Sequence, residues 1–213
     1  MSRYEIVSLG DVCTVIAGQH ITSHLYNNDG VGVPYLTGPA DFGVVKPVIS
    51  KWTELPKVFA SDQDVLLTVK GNGVGKSNLG TNAAIGRQLM ALRPGERLDQ
   101  SYLYHFIRSY GKQFFNMAQG ATVPGIGKDD IAETKIPLPP LEEQRRIAAI
   151  LDKADAVRRK RKEAIALTEE LLRSAFLEMF GDPVTNPKGW EVVDLKSQVA
   201  ELRYGTSVKC HDV

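Results

Sequence analysis

Cysteine is scarce in this chain. Cys13 and Cys210 are the two among 213 residues, too few and too far apart for a disulfide framework or a zinc site. Long apolar runs are missing as well. No stretch reaches the ~20 residues that cross a bilayer, and the amino terminus lacks the apolar core of a secretory signal. A reducing, cytoplasmic setting without a membrane is therefore expected. Nor is there an excess of either charge: 26 Lys and Arg stand against 25 Asp and Glu, for a net charge of +1. With no global basic field, contact with a polyanion has to come from basic residues gathered locally. The hydrophobic share of 43% is ordinary, and this length holds one good-sized domain plus an appendage.

What is present is one long helical stretch. Residues 138–183, LPPLEEQRRIAAILDKADAVRRKRKEAIALTEELLRSAFLEMFGDP, read as a single uninterrupted helix whose body is 139–180. Pro139 and Pro140 suit a first turn, where a missing N–H costs nothing, and Glu142 and Glu143 favour the positive end of the helix dipole. Gly181 is placed as a left-handed cap, with Pro183 beyond it. Such a rod would be about 55–60 Å long, too long for a small domain to enclose, so it is expected to protrude. Its apolar residues recur at threes and fours: Ile147, Ile150, Leu151, Ala154, Val157, Ala164, Ile165, Leu171, Leu172, Ala175, Phe176 and Met179. This narrow seam is closer to a two-helix coiled coil than to the broad stripe of a globular helix. Asp155 with Arg159, Arg159 with Glu163 and Glu169 with Arg173 stand at i,i+4 spacing, worth roughly 0.2–0.5 kcal/mol each. The run Arg158–Lys162, RRKRK, is read either as a solvated face or as a contact for phosphates or an acidic partner. Arg161 interrupts the seam two heptads after Ile147, a place where a polar residue sets pairing register.

Before the helix, residues 1–138 read as one α/β domain of the α+β type with a mixed sheet. Tyr4–Ala17 suggests a short strand and then a short helix from Gly10 or Asp11. From Gly18 to Gln88, apolar runs at 33–36, 44–45 and 65–69 are separated by Gly, Asn, Asp and Pro, the punctuation of strands joined by turns. Residues 83–85 and 88–92 continue as strands. Residues 99–117 are predicted helical, with Tyr102, Phe106, Tyr110 and Phe114 four apart on one core-facing side. Residues 181–213 form a linker and a partial repeat: Trp190-Glu191-Val192-Val193-Asp194-Leu195 matches Tyr4-Glu5-Ile6-Val7-Ser8-Leu9 in order of residue type.

Three motifs invite a catalytic reading. KGNGVGKS (70–77) approaches a P-loop, but Lys70 occupies the place of the first glycine and the NLGTNAAIG that follows is a poor helix, so nucleotide binding is not expected. Asp129 and Asp130 before Glu133-Thr134-Lys135 faintly resemble a nuclease metal site, yet adjacent acids here suit a helix amino terminus. Leu138-Pro139-Pro140-Leu141 lacks the polar group with which a methyltransferase holds a target amine. His20 and His24 would share a metal only on a helix, and Gly18 with Asn27-Asn28 argues for a loop. No catalytic residue and no metal site are expected. The 70–78 segment is read instead as a DNA-facing loop, Lys70 and Lys76 on phosphates and Asn72, Ser77 and Asn78 on backbone or base edges, or else as a mobile β-turn loop.

The run PLPPLEEQRRIAAILDKAD, continued through LLRSAFLEMFGDP and NPKGW, resembles the central region of the specificity subunit of type I restriction–modification enzymes. GATVPGIGKDDIAETKIPLPP upstream and ELRYGTSVK downstream resemble its flanks. Such a subunit ordinarily holds two target recognition domains separated by two antiparallel helices, each domain reading half of a split DNA site. Here there is one domain (1–138), one helix (139–180) and the beginning of a second domain (181–213).

The resemblance implies a non-catalytic chain that binds double-stranded DNA and docks methyltransferase subunits, with restriction subunits attached indirectly. A homodimer through the helix would supply the missing half. S-adenosylmethionine, ATP and magnesium would belong to partner subunits, and this chain would carry no cofactor. Candidate DNA contacts are Gln19, His20, Thr22, Ser23, Lys70, Asn72, Lys76, Ser77, Asn78 and Thr122. Candidate pairing residues are Ile147, Ile150, Leu151, Ala154, Val157, Ile165, Leu171, Leu172, Ala175 and Phe176. The competing expectation is an assembly protein or antagonist that pairs through its helix without reading DNA.

Overall fold

A computed structural model describes residues 4–120 and 123–201, which divide into two compact units, Met1–Ala156 and Val157–Val213.

The first unit is built on β-sheets. β1 (Glu5–Ser8), α1 (Leu9–Val12) and β2 (Cys13–Ala17) open it. The sequence expectation of a helix continuing beyond Val12 is corrected, because Cys13–Ala17 alternates inward and outward and pairs along its length with β9 (Leu89–Pro94). β3 (Val33–Leu36), β4 (Trp52–Thr53), β5 (Phe59–Ala60), β6 (Val65–Thr68), β7 (Ser77–Leu79) and β8 (Ala83–Ile85) lie between them in the chain. One sheet is antiparallel throughout, in the order β2-β9-β6-β7. A second, β4-β3-β8-β5, is mixed, with β3 and β8 parallel. β1 pairs with β10 (Lys135–Leu138). Residues 44–45 form no strand; Val44 is exposed, and Val45 lends one carbonyl to Leu79 N.

The run Val65-Leu66-Leu67 shows why β6 is apolar on both faces. Val65 and Leu67 join one core with Leu92, Leu103, Ile107 and Phe114, while Leu66 joins another with Leu36, Ile85, Leu89 and Ala91. Alternation at period two sends neighbours to opposite sides, and each buried leucine contributes about 1.5–3 kcal/mol.

α2 (Gln100–Met117) covers the first of these cores. Asp99 caps it by accepting from Tyr102 N at 3.0 Å. Tyr102 and Phe114 are buried, with Phe106 and Tyr110 packed beside them, as the four-residue spacing predicts. Gly111 sits mid-helix because Gly75 lies against it: a Cβ on Gly111 would fall 2.6 Å from Gly75 O, and Gly75 itself holds φ +87°. Two backbones touch here, which only paired glycines permit.

α3 (Lys128–Ala132) follows, and Asp130 accepts from Gly127 N at 2.6 Å, so its carboxylate serves a helix start. α4 (Leu141–Phe180) is a continuous helix of 40 residues, about 60 Å at 1.5 Å per residue. Pro139 and Pro140 precede it, and Pro140 O accepts from Glu143 N and Gln144 N. Its first turns, to Ala156, belong to the first unit. Gln144 is wholly buried: its Oε1 accepts from Asp99 N at 2.8 Å, and its Nε2 donates to Arg97 O at 2.9 Å and Pro139 O at 2.8 Å. His105 Nε2 meets Asp152 at 2.8 Å, and Arg108 pairs with Asp155. Both pairs are 47 residues apart, so α2 and this part of α4 run in the same direction. Asp155, expected to face Arg159, is thus also engaged by α2.

In the second unit, Gly181 adopts φ +80° and its N–H donates to Leu177 O at 2.8 Å, the left-handed cap predicted for it. Lys188 Nζ donates to Glu178 O and Met179 O, and Trp190 Nε1 donates to Phe180 O at 2.7 Å. The NPKGW segment therefore satisfies carbonyls that a helix end leaves open. Asn186 and Trp190 exchange two hydrogen bonds that fix this return. α5 (Leu195–Gln198) follows, capped by Asp194.

Candidate nucleic-acid interface

In an antiparallel sheet, alternate connections emerge at the same end. In β2-β9-β6-β7 this brings together the exit of β2, the entry to β9 and the β6–β7 hairpin. Backbone hydrogen bonds continue the array past the strands. Gly18 N donates to Leu89 O, Gln19 N to Ile85 O, Val69 N to Gln88 O, Gly71 N to Pro124 O and Ile126 N to Val69 O. Lys70 and Gln119 both bridge to Gly125.

The resulting surface has two shallow depressions. Lys70, Asn72, Lys76 and Gln88 line one beside Pro39; Lys70, Arg87, Gln88, Gln119 and Val123 line the other. Lys70, Asn72, Lys76, Arg87, Gln88 and Gln119 are all exposed. Among the described residues, Lys70, Lys76 and Arg87 enter no ion pair, whereas Arg93 is committed to buried Asp64 through two bonds of 2.8 and 2.9 Å. Three uncommitted cations among amide side chains form the local basic patch that a neutral chain needs to hold a polyanion.

The predicted contacts divide on this geometry. Gln19, Lys70, Asn72 and Lys76 belong to the shared end. His20 is exposed beside it and its carbonyl accepts from Lys57 Nζ. Thr22 and Ser23 are exposed, but buried Ile21 separates them from Gln19 and their loop continues toward Thr53. Thr122 lies outside the described residues. Asn78 is corrected: it stands in β7, 2% exposed, with its amide donating to Gly43 O. Ser77 is corrected with it, since its hydroxyl oxygen is buried in the same strand. Strand pairing with Leu66 and Leu67 took both side chains out of reach. That KGNGVGKS leads into a strand also removes the helix amino terminus a phosphate loop requires.

Sequence reasoning missed Arg87, Gln88 and Gln119. Arg87 fell between the strand-like runs 83–85 and 88–92, and Gln88 was counted as the first residue of the second run.

On α4, Ile147 is corrected as a pairing residue, because it is half-buried and packs on its own domain's core. Ile150, Leu151, Ala154, Val157, Ile165, Leu171, Leu172 and Phe176 are exposed, and Ala175 is half-buried. Leu171 and Leu172 are 67% and 66% exposed, so the apolar seam of the helix is open to solvent there among the described residues.

Among the described residues, no three His, Cys, Asp or Glu side chains are grouped to hold a metal ion, and no helix is long and apolar enough to cross a membrane. Burial, aided by the carboxylate of Asp64, pushes the Cys13 thiol up to about 12.

Residues 1–167 match the profile of the type I restriction modification DNA specificity domain. The chain belongs to this family. It is 33% identical over 181 residues to the putative type I restriction enzyme MjaX specificity subunit of Methanocaldococcus jannaschii, covering 82% of this chain and 42% of that protein. Over 77 residues it is 35% identical to the EcoR124I/EcoR124II specificity subunit of Escherichia coli, 35% of this chain and 19% of that one. Among solved structures, the HsdS subunit from Thermoanaerobacter tengcongensis is similar with a TM-score of 0.67 and 37% identity, over 76% of this chain and 39% of that one. A chain from a structure addressing complex assembly and conformational transition of the type I R-M system gives a TM-score of 0.72 at 38% identity, over 81% and 43%. The chain thus spans about half the length of these relatives or less. The α+β architecture with mixed sheets and a long helix aligns with these two solved chains over 81% and 76% of its length.

Proposed function

We propose that this family member is a non-catalytic DNA-recognition chain that reads one half-site through the loop end of its antiparallel sheet. The observation that carries the proposal is the convergence of Lys70, Lys76 and Arg87, none of them ion-paired among the described residues, on one backbone-braced surface. Phosphate contacts there would supply salt-dependent affinity, and amide or guanidinium groups reaching base edges would supply sequence choice.

The seam of α4 would pair with a second helix. A second copy of this chain gives a two-fold arrangement with two reading heads, the helices setting their spacing and docking methyltransferase subunits. Residues 1–138 would then be the reading domain, 139–180 the spacer and 181–213 the beginning of a second repeat. S-adenosylmethionine, ATP and magnesium would act in the partner subunits, with restriction subunits joined through them in the cytoplasm.

Fluorescence anisotropy of the full chain on random-sequence duplex DNA, with and without a methyltransferase subunit, tests this. Binding is expected to weaken steeply as salt rises from 50 to 200 mM, about 0.9 log units per log salt for each phosphate neutralised. The exposed seam alone favours a second reading, an assembly protein or antagonist that pairs without touching DNA. Stable association with the methyltransferase subunit and no DNA binding under either condition would decide for it.

A further inference from the structure

We infer that Arg87 and Gln88 are the base-reading pair of this surface, with Lys70 and Lys76 holding the flanking phosphates. The inference rests on the DNA-reading role proposed above and assigns the division of labour within it. Arg87 and Gln88 are the two central residues of a tight turn entering β9, closed by Leu89 N donating to Gly86 O at 2.9 Å. β9 lies inside the sheet, between β2 and β6. The turn is consequently braced on both sides, by Gly18 N on Leu89 O and Gln19 N on Ile85 O, and by Val69 N on Gln88 O. A third brace is Gly86 N on Leu36 O at 2.8 Å, from the second sheet.

Close packing secures it further. A Cβ on Gly18 would lie 2.3 Å from Gly86 O, and one on Gly38 would lie 2.2 Å from Gln88 Oε1. Main chain and the Gln88 side chain therefore fill the space where other residues would carry substituents. Despite this bracing, both side chains are exposed, and neither makes a side-chain hydrogen bond or ion pair among the described residues.

A rigid platform that presents two unspent functional groups suits geometric recognition, which fails when its groups are loosely held. A guanidinium forks onto the O6 and N7 of guanine, and a carboxamide onto the N6 and N7 of adenine. Lys70 and Lys76 stand on the hairpin beside the turn as point charges on flexible stems, suited to phosphate and unsuited to fork geometry.

The test compares full-length wild-type protein with Arg87→Lys, Arg87→Gln, Gln88→Ala and Lys76→Ala. Each is assembled with methyltransferase subunits and selected against a random duplex library, with a salt titration on the preferred site. Arg87→Lys keeps the charge and loses the fork, so preference at one base pair should relax by about tenfold or more with the salt slope unchanged. Gln88→Ala should relax a neighbouring base pair. Lys76→Ala should weaken all sequences alike and lower the slope by about one. Unfolding midpoints equal to wild type exclude a folding cause. If Arg87→Lys and Gln88→Ala select the wild-type sequence undiminished, the assignment is overturned while DNA reading by the chain stands. If the wild-type assembly itself selects no sequence, the underlying reading falls with it.

Discussion

Replacing Gln144 by leucine should cost the first unit about 3 kcal/mol, although the change conserves volume and touches neither the loop surface nor the helix seam. Three backbone groups depend on this side chain: the N–H of Asp99 and the carbonyls of Arg97 and Pro139. A buried polar group left without a partner costs about 1–3 kcal/mol. The Pro139 bond is fully enclosed, whereas those to Arg97 and Asp99 lie at the edge of the core, so one full penalty and two smaller ones are expected. Leucine fills nearly the same space, which removes the cavity contribution that alanine would add. For a unit of this size 1 kcal/mol moves the midpoint by roughly 2–4 °C, giving a fall of about 6–12 °C by calorimetry. Gln144→Glu should fare worse at neutral pH, because its second oxygen would face two carbonyls. Hydrogen exchange should quicken first at Asp99 and the α2 amino terminus. A leucine variant melting within about 2 °C of wild type would show that these bonds hold nothing together.

The hairpin lysines are expected to act independently: Lys70→Ala should lower the slope of log K against log salt by about one, like Lys76→Ala, and isothermal titration at three salt concentrations would expose an unchanged slope. Ile150→Asp with Leu171→Asp should convert the proposed dimer to a monomer in sedimentation velocity, because a charge set in an apolar seam has no partner there; an unaltered sedimentation coefficient would remove helix pairing. With Cys210 replaced by serine, Cys13 should resist thiol reagents at pH 8 until the protein unfolds. Its thiol, raised by burial from 9.0 to about 12, stays protonated in the folded chain while the unfolded one ionises. Stability should therefore fall as pH rises from about 9 to 12, by up to about 1.4 kcal/mol per pH unit for this group. Cys13→Ala should flatten that part of the urea-derived profile, and equal slopes in both proteins would contradict the burial.

The long helix was legible because its determinants are local: apolar spacing, absence of Gly and Pro from Leu141 to Phe180, and a glycine where the chain must turn left-handed. α2 was legible for the same reason. β2 was not, since Cys13–Ala17 is a strand only by virtue of β9, some 75 residues away. The candidate interface shared that limit. Lys70, Asn72 and Lys76 stood out within a glycine-rich loop, but Ser77 and Asn78, next in sequence, turned inward on pairing with β6. Arg87 and Gln88 gained their position from sheet order, which no local pattern records. Ile147 fitted the helical seam yet was claimed by its own core, because periodicity identifies a face and not the partner that covers it.

The near-repeat separates these two kinds of information within one pattern. Tyr4–Leu9 and Trp190–Leu195 carry the same order of residue types, and both lead into a four-residue helix beginning at the matched leucine, Leu9 and Leu195. A helical turn closes its bonds within itself, so both copies form it. A strand needs a neighbour. Glu5–Ser8 has β10 and pairs through four residues, whereas 191–194 has no strand partner among the described residues and no regular structure. The consequence reaches the side chains. Leu9 is wholly buried beneath the first domain, while Val192 and Leu195 are 86% and 70% exposed. Leu195 thus repeats the local pattern of Leu9 with its side chain exposed among the described residues. The difference between the copies lies in what surrounds them rather than in what they encode.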